Sequence, residues 1–146
     1  MVGVSKLSPY LIVDGGNAAL EWYQKALGAE VKDVAYVPDT DKIMNAQLML
    51  GDSRFMLNDE FPDYGALGPL KVGGSSVTMH IESTDVDADW ERIVAAGAEI
   101  TMPLDNQFWG MRYGQFRDPF GHCWSIGQQI SNPTKEEMEA AMKEQS

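Results

Sequence analysis

ALEWYQKALGAEV (Ala19 to Val31) and ADWERIVAAGAEI (Ala88 to Ile100) close alike, LGAEV against AGAEI, at an offset of 69 residues in a chain of 146. An offset near half the length is the mark of a duplicated unit. Each copy follows an alternating stretch, SPYLIVD (Ser8 to Asp14) in the first and VTMHIES (Val77 to Ser83) in the second, with the period of a strand. Each half therefore begins with a strand and then a helix. In the first helix Leu20, Tyr23, Ala26 and Leu27 form the apolar stripe, Asn17 is the expected N-cap and Gly28 suits the left-handed end. In the second, Asp85 or Asp87 caps, Trp90, Ile93 and Val94 repeat the stripe, and Gly97 stops it.

Three further strand candidates follow each glycine. They are Ala29 to Val37, Ile43 to Leu50 and Arg54 to Asn58 in the first copy, and Ala98 to Leu104, Arg112 to Arg117 and His122 to Gly127 in the second. The expected fold class is α+β: two tandem βαβββ modules, residues 1–60 and 77–130. Between them FPDYGALGPLKVGGSS (Phe61 to Ser76), with two prolines and four glycines, reads as a loop-like linker long enough to be a flap over a cleft. The tail, residues 131–146, reads as a short helix with Asn132 as N-cap, Pro133 in its first turn and Met138, Ala141 and Met142 on one docking face.

Composition narrows the function classes. Apolar residues at 44% and charged residues at 23% are ordinary globular values, and no apolar run approaches the roughly 18 residues of a membrane span. MVGVSKLSPYLIV lacks the apolar core of a secretory signal, so a cytoplasmic location is expected. The single Cys123 excludes an internal disulfide, and no Cys/His cluster suggests zinc or iron–sulfur binding. A net charge of −11 repels phosphate backbones and anionic lipids, which makes nucleic acid and membrane poor partners. That charge serves solubility, or it favours a cationic ligand.

The stretch FWGMRYGQFRDPFGHCW (Phe108 to Trp124) holds the densest chemistry. DPFG (Asp118 to Gly121) has turn residues and joins two antiparallel strands. Beyond it, His122, Trp124 and Ile126 alternate with Cys123, Ser125 and Gly127; the larger set is expected against a helix and the smaller set on the concave face. Trp109, beside Phe108 and Tyr113 and with Phe61 and Tyr64 as further rim candidates, can stack on a planar ligand or a cation. Arg112 can pair with a ligand anion or, across the hairpin, with Asp118. Cys123 lacks any local activating signal and reads as a small hydrophobe.

The paired modules, the opening PYLIVDGGNAALEWYQKALGAE, the elements FWG-x-RYG and DPFGH-x-W, and the closing PTKEEMEAAM together resemble the vicinal oxygen chelate superfamily. That group includes glyoxalase I, extradiol dioxygenases, fosfomycin-resistance enzymes and bleomycin-resistance proteins, and the chain is most similar to its PhnB-like branch. The resemblance implies that each module curls its sheet into a cup, that the cups unite around a ligand cavity, and that two chains form a homodimer. In this branch an acid often stands where Met111 stands here.

The superfamily's catalytic members hold a divalent metal on the first and last strands of each module. Aligned on the helices and turns, those positions fall on Ser8, Met56, Thr78 and Ser125; two residues along they become Tyr10, Asn58, His80 and Cys123. Neutral hydroxyls and a thioether are poor partners for a divalent cation, and no carboxylate enters until Glu82. No metal and no cofactor is therefore expected. His80 is either a catalytic general base, with Tyr10 as the nearest candidate acid, or a histidine that lines the cavity.

Two classes of function stay open. One is a metal-free binder of a small, planar or cationic molecule, with Tyr10, Thr78, His80, Trp109, Arg112, Tyr113 and Ser125 as ligand-binding candidates. The other is a lyase, isomerase or transferase working through His80 or an atypical metal site. A dimeric scaffold without a small ligand is the third possibility. The missing ligands and the aromatic rim put the binder first.

Overall fold

The computed structural model describes residues 3–145. It divides into two compact units. Unit 1 is the chain up to Ser75 together with Phe120–His122, and unit 2 is Ser76–Pro119 with the chain from Cys123 onward.

Unit 1 contains β1 (Tyr10–Val13), α1 (Gly16–Leu27), β2 (Glu30–Tyr36), β3 (Ile43–Leu50) and β4 (Ser53–Asp59), in sheet order β1-β4-β3-β2. β1 runs parallel to β4 and the other pairs are antiparallel. The alternation read from the sequence is kept: Leu11 and Val13, Ala46 and Leu48, Phe55 and Leu57 are buried. From α1, Ala19, Tyr23 and Ala26 are fully buried, and the Tyr23 ring meets the rings of Trp22, Phe55 and Phe120. Burying a side chain of this size stabilises by roughly 1.5–3 kcal/mol before entropy is counted.

The entry to α1 differs from expectation. Asn17 does not cap it. The chain enters through Gly15 at φ 107°, a left-handed backbone that only glycine adopts without strain, and Asn17 falls within the first turn. The free N–H groups of Gly15 and Gly16 donate instead to Asp59 Oδ1, and Ile43 N–H donates to Asp59 Oδ2 at 2.7 Å. A charged cap supplied by a neighbouring strand replaces the local one. Asn17 accepts from the Tyr36 hydroxyl and donates to the Asp41 carbonyl.

The Phe61–Ser76 segment is structured rather than loop-like. It holds a 3₁₀ turn (Pro62–Tyr64) and a short helix α2 (Pro69–Val72), and Gly68 N–H donates to the buried Glu60 carboxylate at 2.7 Å. A Cβ at Gly68 would stand 3.1 Å from the Ile12 carbonyl, so the segment lies close along β1.

Unit 2 repeats the pattern with β5 (Thr78–Glu82), α3 (Val86–Ala95), β6 (Glu99–Asn106), β7 (Met111–Arg117) and β8 (Cys123–Gln129), in sheet order β5-β8-β7-β6. The fold is thus α+β, with two four-stranded mixed sheets of the same topology. Val86 and Ile93 of α3 are fully buried; Phe116 and Trp124 stack with ring planes 3° apart, and Trp90 meets Phe116 edge-on. Asp85 caps α3 by accepting from Ala88 N–H. The N–H of Val86 donates to Gln128 Oε1 at 3.0 Å, as Gly16 does to Asp59 in unit 1. Asp59 and Gln128 stand 69 residues apart, the offset of the repeat. The duplication therefore includes the side chain that caps each helix from the end of its last strand.

The C-terminal helix α4 (Lys135–Gln145) starts later than the sequence suggests. Ile130 and Ser131 both donate to the Gly110 carbonyl, which holds the chain along Gly110 as far as Pro133. Thr134 is the cap, not Asn132: Glu137 N–H donates to Thr134 Oγ1, and Glu137 Oε1 accepts from Thr134 N–H. Met138 and Ala141 are half-buried and Met142 is exposed. Among the described residues no helix is long and apolar enough to cross a membrane.

Candidate functional site

Strand registers decide which side chains share a face. In unit 2, Thr78 lies opposite Cys123, His80 opposite Ser125 and Glu82 opposite Gly127; on β7, Tyr113 lies opposite Gly127 and Gln115 opposite Ser125. Side-chain alternation puts these residues on one face of the sheet, and Met79, Ile81, Trp124, Ile126, Gly114 and Phe116 on the other. The second face carries the α3 contacts. A Cβ on Gly114 would lie 2.6 Å from the Trp90 ring, so only glycine lets that helix approach so closely. Trp124 and Ile126 therefore pack on the helix side, as their size suggests. His122 precedes β8 and belongs to unit 1, where its Nε2 lies 2.8 Å from the Ile12 carbonyl.

The first face carries aromatic rings and neutral polar groups, with two charged side chains, Glu82 on β5 and Arg117 on β7. His80 stacks on Tyr113, with centroids 5.9 Å apart and planes 27° apart; Trp109 meets Tyr113 edge-on at 5.5 Å, and Phe108 meets Trp109 at 5.0 Å. A chain of four rings results. His80 is exposed on the outer strand β5, while Ser125 beside it is only 2% exposed, and His80 Nδ1 lies 2.8 Å from Ser125 Oγ. The Tyr113 phenol accepts from Gln115 Nε2 at 3.0 Å. Gly127, between Glu82 and Tyr113, lets Met111 and Tyr113 fill the space a side chain would take: its Cβ would come within 3.3 Å of the Tyr113 ring and 2.7 Å of the Met111 methyl.

Of the sequence candidates, Thr78, His80, Trp109, Tyr113 and Ser125 thus come together on or beside one face. Arg112 does not join them. It lies opposite Gln128, on the helix side, where it donates to Asp87 of α3 and to Asn106. Nor does it pair with Asp118, whose buried carboxylate accepts from the Trp124 indole at 2.8 Å. Strand alternation from Tyr113 to Arg112 is the cause. At the Cys123 end of the ring-bearing face, Glu99 and then Cys123 hold the proton of the Arg117 guanidinium more firmly than usual.

Tyr10 belongs to unit 1. Its phenol accepts from Asn45 Nδ2 at 2.8 Å, and it lies opposite Met56, with Gln47 across from Met56 on the next strand. Gln115, Asn45 and Gln47 carry no distinguishing mark in the sequence. Gln115 stands two residues beyond Tyr113 on an alternating strand, but amides on strands are too common to stand out alone.

The resemblance implies a divalent metal in catalytic relatives, and the donors present here do not meet that demand. Across the parallel strand pairs the partners are Tyr10 with Met56 and His80 with Ser125, rather than Ser8 and Thr78. A phenol, a thioether, a hydroxyl and one imidazole whose Nδ1 is already engaged do not fit a hard divalent cation, which takes carboxylate and carbonyl oxygens. Among the described residues no group of three or more His, Cys, Asp or Glu side chains could hold a metal ion. Elsewhere, an open depression of about 310 Å³ in unit 1 is lined by Asp14 to Ala18, Asp41, Lys42 and Asp59. Its central carboxylate, Asp59, is already committed to three backbone N–H groups, so it serves the helix end.

Comparison with known proteins agrees with this architecture. The family model of the Glyoxalase/Bleomycin resistance protein/Dioxygenase superfamily matches residues 6–126. An uncharacterized protein of Mycobacterium bovis, Mb0911c, is 41% identical over 143 residues, 95% of this chain and 93% of its own. Among solved structures, protein PA1353 from Pseudomonas aeruginosa superposes with a TM-score of 0.70 at 28% identity, over 88% of this chain and 100% of that one. TnmS3, an antibiotic binding protein from Streptomyces sp. CB03234, superposes with a TM-score of 0.64 at 21% identity, over 88% and 99%. With two βαβββ units in tandem and a family match across most of its length, the chain belongs to the glyoxalase/bleomycin resistance protein/dioxygenase superfamily.

Proposed function

We propose that this chain binds a small planar, cationic molecule without a catalytic metal, and that the ring-bearing face of unit 2 carries the binding. The observation that supports it most is the continuous run of rings Phe108, Trp109, Tyr113 and His80. Flat faces and edges of this kind hold a planar ligand by stacking, and a cation over an indole or phenol gains roughly 0.5–2 kcal/mol. Glu82 adds a carboxylate on the same face with no side-chain partner among the described residues, and the net charge of −11 draws cations from a distance. TnmS3 lends support at the level of the fold alone.

The donor chemistry also favours binding over metal-assisted catalysis, because among the described residues no group of three or more His, Cys, Asp or Glu side chains could hold a metal ion. The test uses 1-methylquinolinium, a planar cation, titrated against the full chain with and without a chelator. Saturable 1:1 binding that ignores the chelator is expected, weakened about fivefold or more by Trp109→Ala and by Glu82→Gln. Binding that both variants leave unchanged, or that the chelator abolishes, would sink the proposal.

A further inference from the structure

His80 and Ser125 form a pair whose proton can be located by elimination. Ser125 Oγ is buried, and its one side-chain partner among the described residues is His80 Nδ1, at 2.8 Å. A hydroxyl has one proton and a neutral imidazole has one N–H. Were Nδ1 to carry the imidazole proton and donate to Oγ, the hydroxyl proton would be left inside the sheet with no acceptor. Burying an unpaired donor is far more costly than leaving one lone pair of an oxygen unfilled. The hydroxyl must therefore donate to Nδ1. That leaves the proton of neutral His80 on Nε2, the outward nitrogen of an exposed ring.

Tyr113 points to the same result from the opposite side of the stack. Its phenol oxygen accepts from Gln115 Nε2 at 3.0 Å, so the hydroxyl hydrogen is free to donate elsewhere. The two polar edges of the ring chain then present one kind of function. We infer that Ser125 is a positioning residue that fixes the His80 tautomer, so that the site offers paired donors, His80 Nε2–H and Tyr113 O–H, and selects planar ligands that carry an oxygen acceptor such as a ring carbonyl. This rests on the binding reading above and adds a specificity to it: the ligand's acceptor oxygen lies against His80 and Tyr113, with Glu82 two residues along β5 from His80 and across Gly127 from Tyr113. It also makes neutral His80 a donor toward the ligand, not a base.

Two measurements on the full chain separate this inference from the reading beneath it. The first needs no ligand. A long-range ¹H–¹⁵N spectrum of ¹⁵N-labelled protein, recorded about two units above the ordinary histidine pKa of roughly 6.5, reports which nitrogen of each of the two histidines is protonated. His80, identified by comparison with His80→Phe, is expected with its proton on Nε2 and with an Nδ1 resonance that moves in Ser125→Ala. A proton on Nδ1 would overturn the inference.

The second compares 3-acetyl-1-methylquinolinium with its 3-isopropenyl analogue, which keeps shape and charge and replaces the carbonyl oxygen by CH₂. The acetyl compound is expected to bind about fivefold tighter and to shift His80 Nε2, as one net hydrogen bond requires. In the His80→Phe, Ser125→Ala double variant, which keeps a ring, leaves no stranded hydroxyl and retains only the Tyr113 donor, that advantage is expected to shrink to about twofold or less. Equal binding of the two compounds to the wild-type chain would overturn the ligand class while leaving the binding reading intact. Failure of both to bind would overturn the ligand class together with that reading.

Discussion

At the scale of single residues, two glycines on neighbouring strands do opposite jobs. Gly114 faces α3, and a methyl there would lie 2.6 Å from a rigid Trp90 ring carbon and 3.1 Å from the Leu104 backbone. Nothing nearby gives way. Gly114→Ala should therefore cost about 2 kcal/mol, as overpacking does, and lower the melting temperature by about 6 °C for a chain of this size. Gly127 faces the rings, where its new methyl would meet the flexible end of Met111 and, at 3.3 Å, the edge of Tyr113. Gly127→Ala should leave the melting temperature within about 2 °C of wild type but weaken 1-methylquinolinium binding several-fold, because Tyr113 must move. Thermal unfolding and a binding titration on the same two variants check both statements. A large loss of stability at Gly127 would count against its place in the site.

At the scale of elements, α1 and α3 each receive at their start a side chain from the last strand of their own unit, α3 in addition to its local cap Asp85. Asp59 accepts from three backbone N–H groups and Gln128 from one, so removing them should not cost the same. Asp59→Ala is expected to destabilise by about 2–3 kcal/mol and Gln128→Ala by about 1 kcal/mol, with Asp59→Asn intermediate. Calorimetric melts of the three variants give the order. Equal losses at Asp59 and Gln128 would mean that α1 has another cap. The sequence made both helices and their glycine stops legible, since stripe and stop are local. It did not reveal these caps, because the acceptors lie 43 and 42 residues from the N–H groups they serve. Asn17 looked right by proximity and lost to a carboxylate brought in by the sheet.

At the scale of the whole molecule, the excess of acids acts at a distance while the rings act in contact. Raising ionic strength shortens the reach of that charge from roughly 10 Å at 0.1 M to roughly 3 Å at 1 M salt. Association of 1-methylquinolinium should accordingly slow several-fold over that range, whereas its dissociation rate changes little. Stopped-flow fluorescence separates the two rates. A salt effect confined to dissociation would place the relevant charge in direct contact, at Glu82, rather than in the overall field.

By itself the sequence determined the duplication, the order strand, helix and three strands in each half, and the aromatic richness of the Phe108 to Trp124 stretch. These follow from periods of about two and 3.6 residues and from glycines at helix ends, which act over a single turn or strand. Only the tertiary structure decided which side chains meet. It set His80 against Ser125 across 45 residues of chain, and it sent Arg112 to Asp87 on α3. Register was the physical cause in both cases. A strand shifted by one residue presents its other face, and which register wins is settled by packing against the helix and the neighbouring strands.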